Sequence, residues 1–309
     1  MNGASPSVRL AHLHKAYGKT VAVEELSLEI LPGEIFGLIG PDGAGKTTVM
    51  RIVAALTLPD GGQAEVMGHD VATHPVRVKE HIGYMPQRFS LYPDLTVAEN
   101  LRFFADLYKV PAAERVVREQ RLMQFSRLGP FRKRRAAQLS GGMKQKLALA
   151  CTLMHTPEVL ILDEPTTGVD PLSRQEFWAI LRELAASGQA LLVSTPYMDE
   201  ALLCHRVALM HNGRVLTTGQ PHDIPAHFKH RLLEIVAGDV PRARKRLLTC
   251  GPAGTQVHRF GDRLHVVYDT ADQEREIRAC LTEENADIRD APPSIEDTFV
   301  TLMHEGSSR

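Results

Sequence analysis

The 309-residue chain has few cysteines, no excess charge of either sign and no long apolar run. Its cysteines stand at 151, 204, 250 and 280 and form no C-x-x-C pair, which predicts reduced packing thiols rather than disulfides or a zinc site. A formal net charge of −1 and a pI near 6.9 give no basis for non-specific binding to nucleic acid or to an anionic membrane. No run approaches the roughly 18 apolar residues of a membrane helix, and the N-terminus lacks a signal-peptide pattern. These absences predict a cytoplasmic protein.

The strongest positive signal is a glycine-rich run that matches the phosphate-loop pattern G-x-x-x-x-G-K-[ST] at every fixed position. The run is Gly40-Pro41-Asp42-Gly43-Ala44-Gly45-Lys46-Thr47-Thr48. An apolar strand over 34–39 leads into it and a helix over 49–56 leaves it, an arrangement that aims backbone N–H groups at one point. Lys46 then lies along the β- and γ-phosphates, and the Thr47 hydroxyl ligates Mg²⁺. The run predicts that the chain binds a nucleoside triphosphate.

Hydrophobic patterning predicts two domains. Residues 1–219 alternate strands and helices and form an α/β domain with a helical insertion. Two capping boxes, Thr96–Glu99 and Ser173–Glu176, predict helix starts inside it. After a linker over 220–230, residues 231–309 read as β-α-β-β-α-β, which is the ferredoxin-like order.

Further motifs follow the phosphate loop in a fixed order: Gln87, Ser140-Gly141-Gly142, Asp163-Glu164 and Asp170. As an ordered set, the motifs between about 8 and 219 resemble the nucleotide-binding cassette of ABC transporters, in the branch that powers drug and polymer exporters. The stretch 292–299 resembles the end of the accessory domain found on many exporter cassettes of this branch. The resemblance implies a P-loop (RecA-like) ABC ATPase core with a helical subdomain at about 96–155 and an antiparallel β subdomain. A small α+β ferredoxin-like domain would follow.

The resemblance assigns hydrolytic roles to several side chains. Asp163 would hold Mg²⁺ through its water shell, and Glu164 would orient and polarise the attacking water. Gln87 would sense Mg²⁺ and the γ-phosphate and hinge the helical insertion. Tyr17, which alone indicates no more than packing, would stack on the nucleotide base.

The resemblance also implies a dimer. Ser140 and the amides of Gly141 and Gly142 stand at a predicted helix N-terminus, which is a second anion site. The family uses this site head to tail, with Ser140 of one subunit on the γ-phosphate held by Lys46 of the other. Asp170 would line the same interface. Binding of two ATP would close the dimer, and hydrolysis would open it.

One departure from the family pattern bears on the rate. After the strand over 190–194 the family usually places a histidine that contacts the γ-phosphate and the catalytic glutamate, and here that position is Pro196. Proline has neither a side-chain donor nor an N–H, and loss of one such contact costs about 10²–10³ in rate. Because Glu164 is present, we predict slow hydrolysis. Tyr197 or Asp199 could substitute, and Met143 in the signature motif is expected to be a mild variation.

Three functions are compatible with the sequence. The first is an ATPase subunit at the inner face of the cell membrane that drives a separate membrane permease, and the resemblance implies that this permease is an exporter. The second is an ATP-dependent dimerising clamp, or degenerate cassette, that hydrolyses little ATP because of Pro196 and regulates or completes a heteromeric transporter. The third, a soluble ABC protein of translation or DNA repair, usually carries two cassettes or long coiled coils. The expected partners are ATP, Mg²⁺, an identical or different cassette and the permease, without nucleic acid.

Overall fold

The computed structural model describes residues 5–88 and 91–307, and the chain divides into two units, Met1–Pro221 and His222–Arg309. The first unit contains, in chain order, β1 (Val8–Tyr17), β2 (Thr20–Ile30), β3 (Ile35–Ile39), α1 (Lys46–Val53), β4 (Gly61–Val66), β5 (His69–Asp70), α2 (Pro75–His81), β6 (Ile82–Met85), α3 (Val97–Leu107), α4 (Ala112–Phe125), α5 (Gly141–Thr152), β7 (Val159–Asp163), α6 (Pro171–Ala186), β8 (Ala190–Thr195), α7 (Met198–Ala201), β9 (Arg206–His211) and β10 (Arg214–Gly219). The second contains β11 (Arg231–Val236), α8 (Val240–Cys250), β12 (Gln256–Phe260), β13 (Arg263–Tyr268), α9 (Ala271–Cys280), β14 (Asp287–Asp290) and α10 (Ile295–Ser307). The division between the units lies inside the predicted 220–230 linker. No helix in the described ranges is long and apolar enough to cross a membrane.

The centre of the first unit is a six-stranded sheet with the order β10-β9-β3-β8-β7-β6. Every residue of β3 and β7 is buried, which explains their unbroken apolar sequences, since a parallel sheet is covered on both faces. Ile39 pairs with Thr195, and Asp163 pairs with Ser194. The carboxyl ends of β3, β7 and β8 therefore meet at one edge, where ligands bind in open α/β sheets.

A second sheet, with the order β2-β1-β4-β5, is antiparallel and belongs to the same unit. Helix α1 contributes Val49 and Ile52 to a core that also contains Leu13 from the antiparallel sheet and Ile161 from the central sheet. Helices α3, α4 and α5 form the predicted helical region. The predicted α/β class, with helical and antiparallel subdomains, is confirmed.

One predicted helix start agrees with the structure, and two differ from it. Thr96 caps α3 in a capping box with Glu99, as predicted. The second predicted box is wrong, because α6 begins at Pro171 and its cap is Asp170, whose carboxylate accepts from the Ser173 N–H. Proline at the first helical position has a backbone angle suited to a helix start, so Ser173 falls inside the first turn. Helix α1 also starts earlier than predicted, at Lys46, directly after the phosphate loop.

The second unit has the predicted ferredoxin-like topology. Its strands pair antiparallel in the order β12-β13-β11-β14, and helices α8 and α9 supply the β-α-β-β-α-β order. Alternate strand residues such as Leu233 and Val266 form a core with Leu247 of α8 and Ile277 of α9. Leu232 and Val267, which point to the opposite face, are buried as well, so the strands depart from a strict period of two.

The prediction of four reduced thiols is wrong for one pair. Cys250 and Cys280, the last residues of α8 and α9, form a disulfide with a Cα–Cα distance of 6.1 Å. The two helices contribute to the same core, which brings together cysteines 30 residues apart in the sequence. Cys151 and Cys204 are free and buried, and burial raises the pKa of both thiols.

Candidate active site

The loop between β3 and α1 depends on two glycines that admit no side chain. A Cβ on Gly40 would lie 2.2 Å from the carbonyl oxygen of Met210, and a Cβ on Gly45 would lie 2.2 Å from that of Ala22. Gly45 also has a φ of 101°, in the left-handed region that glycine adopts without penalty. The following α1 begins with N–H groups that have no intrahelical partner, as at any helix start. The remaining loop residues differ in exposure: Asp42 and Gly43 are exposed, Ala44 is buried, and Pro41, Thr47 and Thr48 are intermediate.

The ammonium group of Lys46 is buried at the centre of the loop. Its Nζ donates to the carbonyl oxygens of Gly40 at 2.8 Å and Pro41 at 3.0 Å. It also lies 3.3 Å from Oε1 of Glu164, and the Lys46 side chain is only 3% exposed. The Lys46 ammonium group is thus shared between the loop carbonyls and a carboxylate that follows β7, two strands away from β3 in the sheet.

Asp163, the last residue of β7, has one engaged and one unengaged carboxylate oxygen. Its Oδ1 accepts from Ser194 Oγ at 2.7 Å and from Thr47 Oγ1 at 3.1 Å. Its Oδ2 is buried without a hydrogen-bond partner in the described part of the chain. Burial raises the pKa of the Asp163 carboxyl, while the Ser194 and Thr47 hydrogen bonds lower it in part. A hydroxyl beside a carboxylate with a free oxygen fits Mg²⁺, which prefers oxygen ligands.

Glu164 is held by three different elements. Its Oε2 accepts from Gln87 Nε2 at 2.9 Å and from Thr167 Oγ1 at 3.3 Å, while Lys46 faces the other oxygen. Its backbone has a φ of 50°, a left-handed conformation that is costly for a non-glycine residue and concentrates at functional sites. The Glu164 N–H donates to Ser194 Oγ at 3.0 Å, which fixes this turn.

The other predicted site residues have contacts of their own outside this cluster. Ser140 is the N-cap of α5 and accepts from the Met143 N–H, and Gly142 packs where a Cβ would be 2.5 Å from Ser173. Gly141 begins α5. Tyr17 is 49% exposed at the end of β1, and Asp170 caps α6. In the described ranges, no hydrogen bond from Ser140, Tyr17 or Asp170 reaches Lys46 or Glu164.

The loop after β8 carries Pro196 and makes no hydrogen bond to Glu164 within the described residues. The two candidate substitutes for the histidine both turn to Arg174 instead. Asp199 Oδ2 accepts from Arg174 at 2.8 Å, and the Tyr197 ring lies under the guanidinium with its centroid 4.7 Å from the Arg174 carbon.

Sequence reasoning missed Ser194, Thr167 and Glu200 as members of the site. Ser194 contacts both acidic residues of the β7 end, and Glu200 is buried behind them. The signal for Ser194 was present, because a hydroxyl residue ends an otherwise apolar strand beside the phosphate loop. Burial of Glu200 has no comparable signal in the sequence.

The chain is similar to known ATP-binding proteins of transporters. The ABC transporter family model matches residues 23–167. A protein described as a probable multidrug ABC transporter ATP-binding protein, from Escherichia coli (strain K12), is 43% identical over 296 residues. The match covers 91% of this chain and 49% of that relative, so the chain spans about half the relative's length. The Nod factor export ATP-binding protein I of Ralstonia nicotianae is 38% identical over 264 residues, which cover 85% of this chain and 81% of the relative.

Solved structures give the same result for the fold. The ATP-binding subunit of an ABC transporter superposes with a TM-score of 0.64 at 31% identity, covering 72% of this chain and 92% of that one. A dimeric ATP-binding cassette in a post-hydrolysis state, bound to ADP and Pi, gives 0.63 at 26% identity, covering 69% and 98%. The sequence motifs, the geometry of the loop and these similarities agree, and the chain belongs to the ABC transporter family as an ATP-binding cassette.

Proposed function

We propose that this chain binds and hydrolyses ATP, dimerises on ATP and powers a separate membrane permease of an exporter. The observation that carries the proposal is the convergence of Lys46 and Gln87 on the Glu164 carboxylate, directly after the carboxyl end of β7. The relatives named for multidrug transport and Nod factor export support the exporter class.

The chemistry follows from the position of each side chain. Glu164 is the general base of this proposal, because its buried carboxylate can accept a proton from water. The buried Asp163 carboxylate instead accepts from Thr47, and its second oxygen, which has no partner among the described residues, suits a Mg²⁺ ligand. Lys46 exchanges its contacts with the Gly40 and Pro41 carbonyls for phosphate oxygens of ATP. Bound Mg²⁺, held by Thr47 and Asp163 with Gln87 nearby, would neutralise charge on the β- and γ-phosphates.

A second copy completes the site. Ser140 and the first N–H groups of α5 form an anion site. Among the described residues, no hydrogen bond links this site to the phosphate loop of the same copy. Ser140 of one subunit would therefore contact the γ-phosphate held by Lys46 of the other, with Asp170 at the interface. The dimeric form of a similar cassette supports this arrangement.

Mass measurement in solution tests the dimer. Glu164→Gln, which keeps the side-chain shape but cannot act as a base, is examined by size exclusion with light scattering. We expect a dimer with Mg-ATP and a monomer with Mg-ADP, and no dimer for Lys46→Ala. A monomer under all conditions would contradict ATP-driven homodimerisation and favour a different cassette as partner.

Association with the permease is tested in the cell. We expect the tagged chain to be recovered with membranes, at the inner face, together with a multispanning protein that detergent releases as a complex. Recovery of the chain free of any membrane protein would contradict the permease assignment. Such a result would favour the third function, a soluble ABC protein, whereas recovery with a membrane protein but negligible turnover would favour the clamp.

A further inference from the structure

Glu200 is a buried carboxylate behind the β7 and β8 strand ends. Its side chain is 1% exposed and accepts hydrogen bonds from Thr195 Oγ1 at 2.5 Å, Thr166 Oγ1 at 2.7 Å and Arg174 Nε at 3.1 Å. A buried charge persists only when it is paired and hydrogen-bonded, and all three donors serve that purpose. Glu200 therefore joins three segments that are distant in sequence.

Each of these segments ends at a part of the active site. Thr166 is two residues after Glu164, in the turn where the Thr167 hydroxyl contacts the Glu164 carboxylate. Thr195 is the last residue of β8 and directly precedes Pro196. Arg174, the third donor to Glu200, lies in the first turn of α6, which Asp170 caps.

Arg174 also contacts the loop after β8. One guanidinium contacts Glu200, Asp199 and the ring of Tyr197, so both candidate substitutes for the histidine are held. The Tyr197 N–H also donates to Thr195 Oγ1 at 3.1 Å. The loop that carries Pro196 is thus braced against α6.

We infer that Glu200, paired with Arg174, is a positioning residue for the catalytic base. It anchors the Thr166–Thr167 turn and thereby holds Glu164 in a reactive orientation without any side chain from position 196. The inference rests on the proposed ATPase function. It accounts for hydrolysis by a cassette whose switch position is proline, because orientation of the base then comes from the turn that follows it.

The test measures turnover and nucleotide affinity for Arg174→Met, with Arg182→Met as the matched control. Arg182 is an exposed arginine on the same helix. We expect Arg174→Met to lower kcat about 10–100-fold. The Kd for Mg-ATP should change less than about twofold, and Arg182→Met should match the wild type.

Two further variants refine the test. Thr166→Val, which removes one hydrogen bond and keeps the β-branched shape, should lower kcat by a smaller factor without loss of folding. Arg174→Lys should retain part of the rate that Arg174→Met loses.

Measuring the same substitution in a variant that lacks the catalytic base separates a positioning role from a general loss of structure. Single-turnover hydrolysis of radiolabelled ATP is compared for Glu164→Gln with and without Arg174→Met. If Glu200 acts through Glu164, the second substitution causes no further loss. An equal fold-loss in both backgrounds, or an unchanged kcat in Arg174→Met, would overturn the inference while wild-type turnover remains. A wild-type rate no higher than that of Glu164→Gln would overturn the proposed hydrolysis, and the inference with it.

Discussion

Replacing Arg174 with methionine would leave the Glu200 carboxylate buried without its cation. Removing one partner of a fully buried ion pair costs about 3–5 kcal/mol. The Arg174 side chain is 21% exposed, and two hydroxyls still bond to Glu200, so water and these donors offset part of the loss. We expect the free energy of unfolding of the first unit to fall by about 2–3 kcal/mol. At about 2–4 °C per kcal/mol for a unit of this size, Tm would fall by roughly 4–12 °C.

Thermal unfolding followed by tryptophan fluorescence measures this loss, because the chain has one tryptophan and Trp178 is buried in α6. The informative comparison is the double variant Arg174→Met/Glu200→Gln. A glutamine carries no charge that needs the guanidinium, so the double variant should lose less stability than the sum of the two single variants. Additivity within about 0.5 kcal/mol would refute the reasoning that an uncompensated charge causes the loss. Arg182→Met should leave Tm unchanged.

Three further predictions concern the switch position and the second unit. Pro196→His should raise kcat for Mg-ATP, by at most about 10²–10³, and an unchanged rate would show that the existing loop needs no histidine. The Asp297 carboxylate raises the pKa of His265, so that contact should stabilise the second unit below about pH 6.5 and be lost as pH rises through the raised pKa. Hydrogen exchange of β11 should show this decline in the wild type and a flatter profile in His265→Gln. Reduction of Cys250–Cys280, which are separated by 30 residues, should lower the stability of the second unit by about 3–4 kcal/mol in the same assay, and no change on reduction would contradict a stabilising crosslink.

The sequence predicted the elements whose pattern reflects burial. The run over 159–162 is apolar throughout because β7 is covered on both faces. Leu264, Val266 and Tyr268 stand at alternate positions of β13 because that face of the sheet packs in one core with α8 and α9. The Gly261-Asp262 turn marked the hairpin between β12 and β13. Fixed spacing in the phosphate loop likewise singled out Lys46 and Thr47, and the structure places them in contact with Glu164 and Asp163.

What the sequence did not reveal depends on contacts between distant residues. Helix α2 and strand β10 are short and carry no clear periodicity. The sequence after Asp170 also contains Ser173 and Glu176, which match the capping-box pattern more fully than the actual cap at Asp170 does. The pairing of Cys250 with Cys280 follows from how two helices pack. Tyr197 and Asp199 appeared available to replace the histidine, and only the position of Arg174, more than 20 residues earlier, shows that they are engaged.

Turnover of Mg-ATP by the purified chain, measured across a range of protein concentrations, tests the central claim most directly. Glu164→Gln is the active-site control, and Glu183→Gln, at an exposed glutamate of α6, is the matched surface control. We predict a slow rate per subunit that rises with concentration, falls to a small residual rate in Glu164→Gln and persists in Glu183→Gln. A rate that is independent of concentration and equal in Glu164→Gln, with ATP still bound, would contradict hydrolysis by a dimer of this chain.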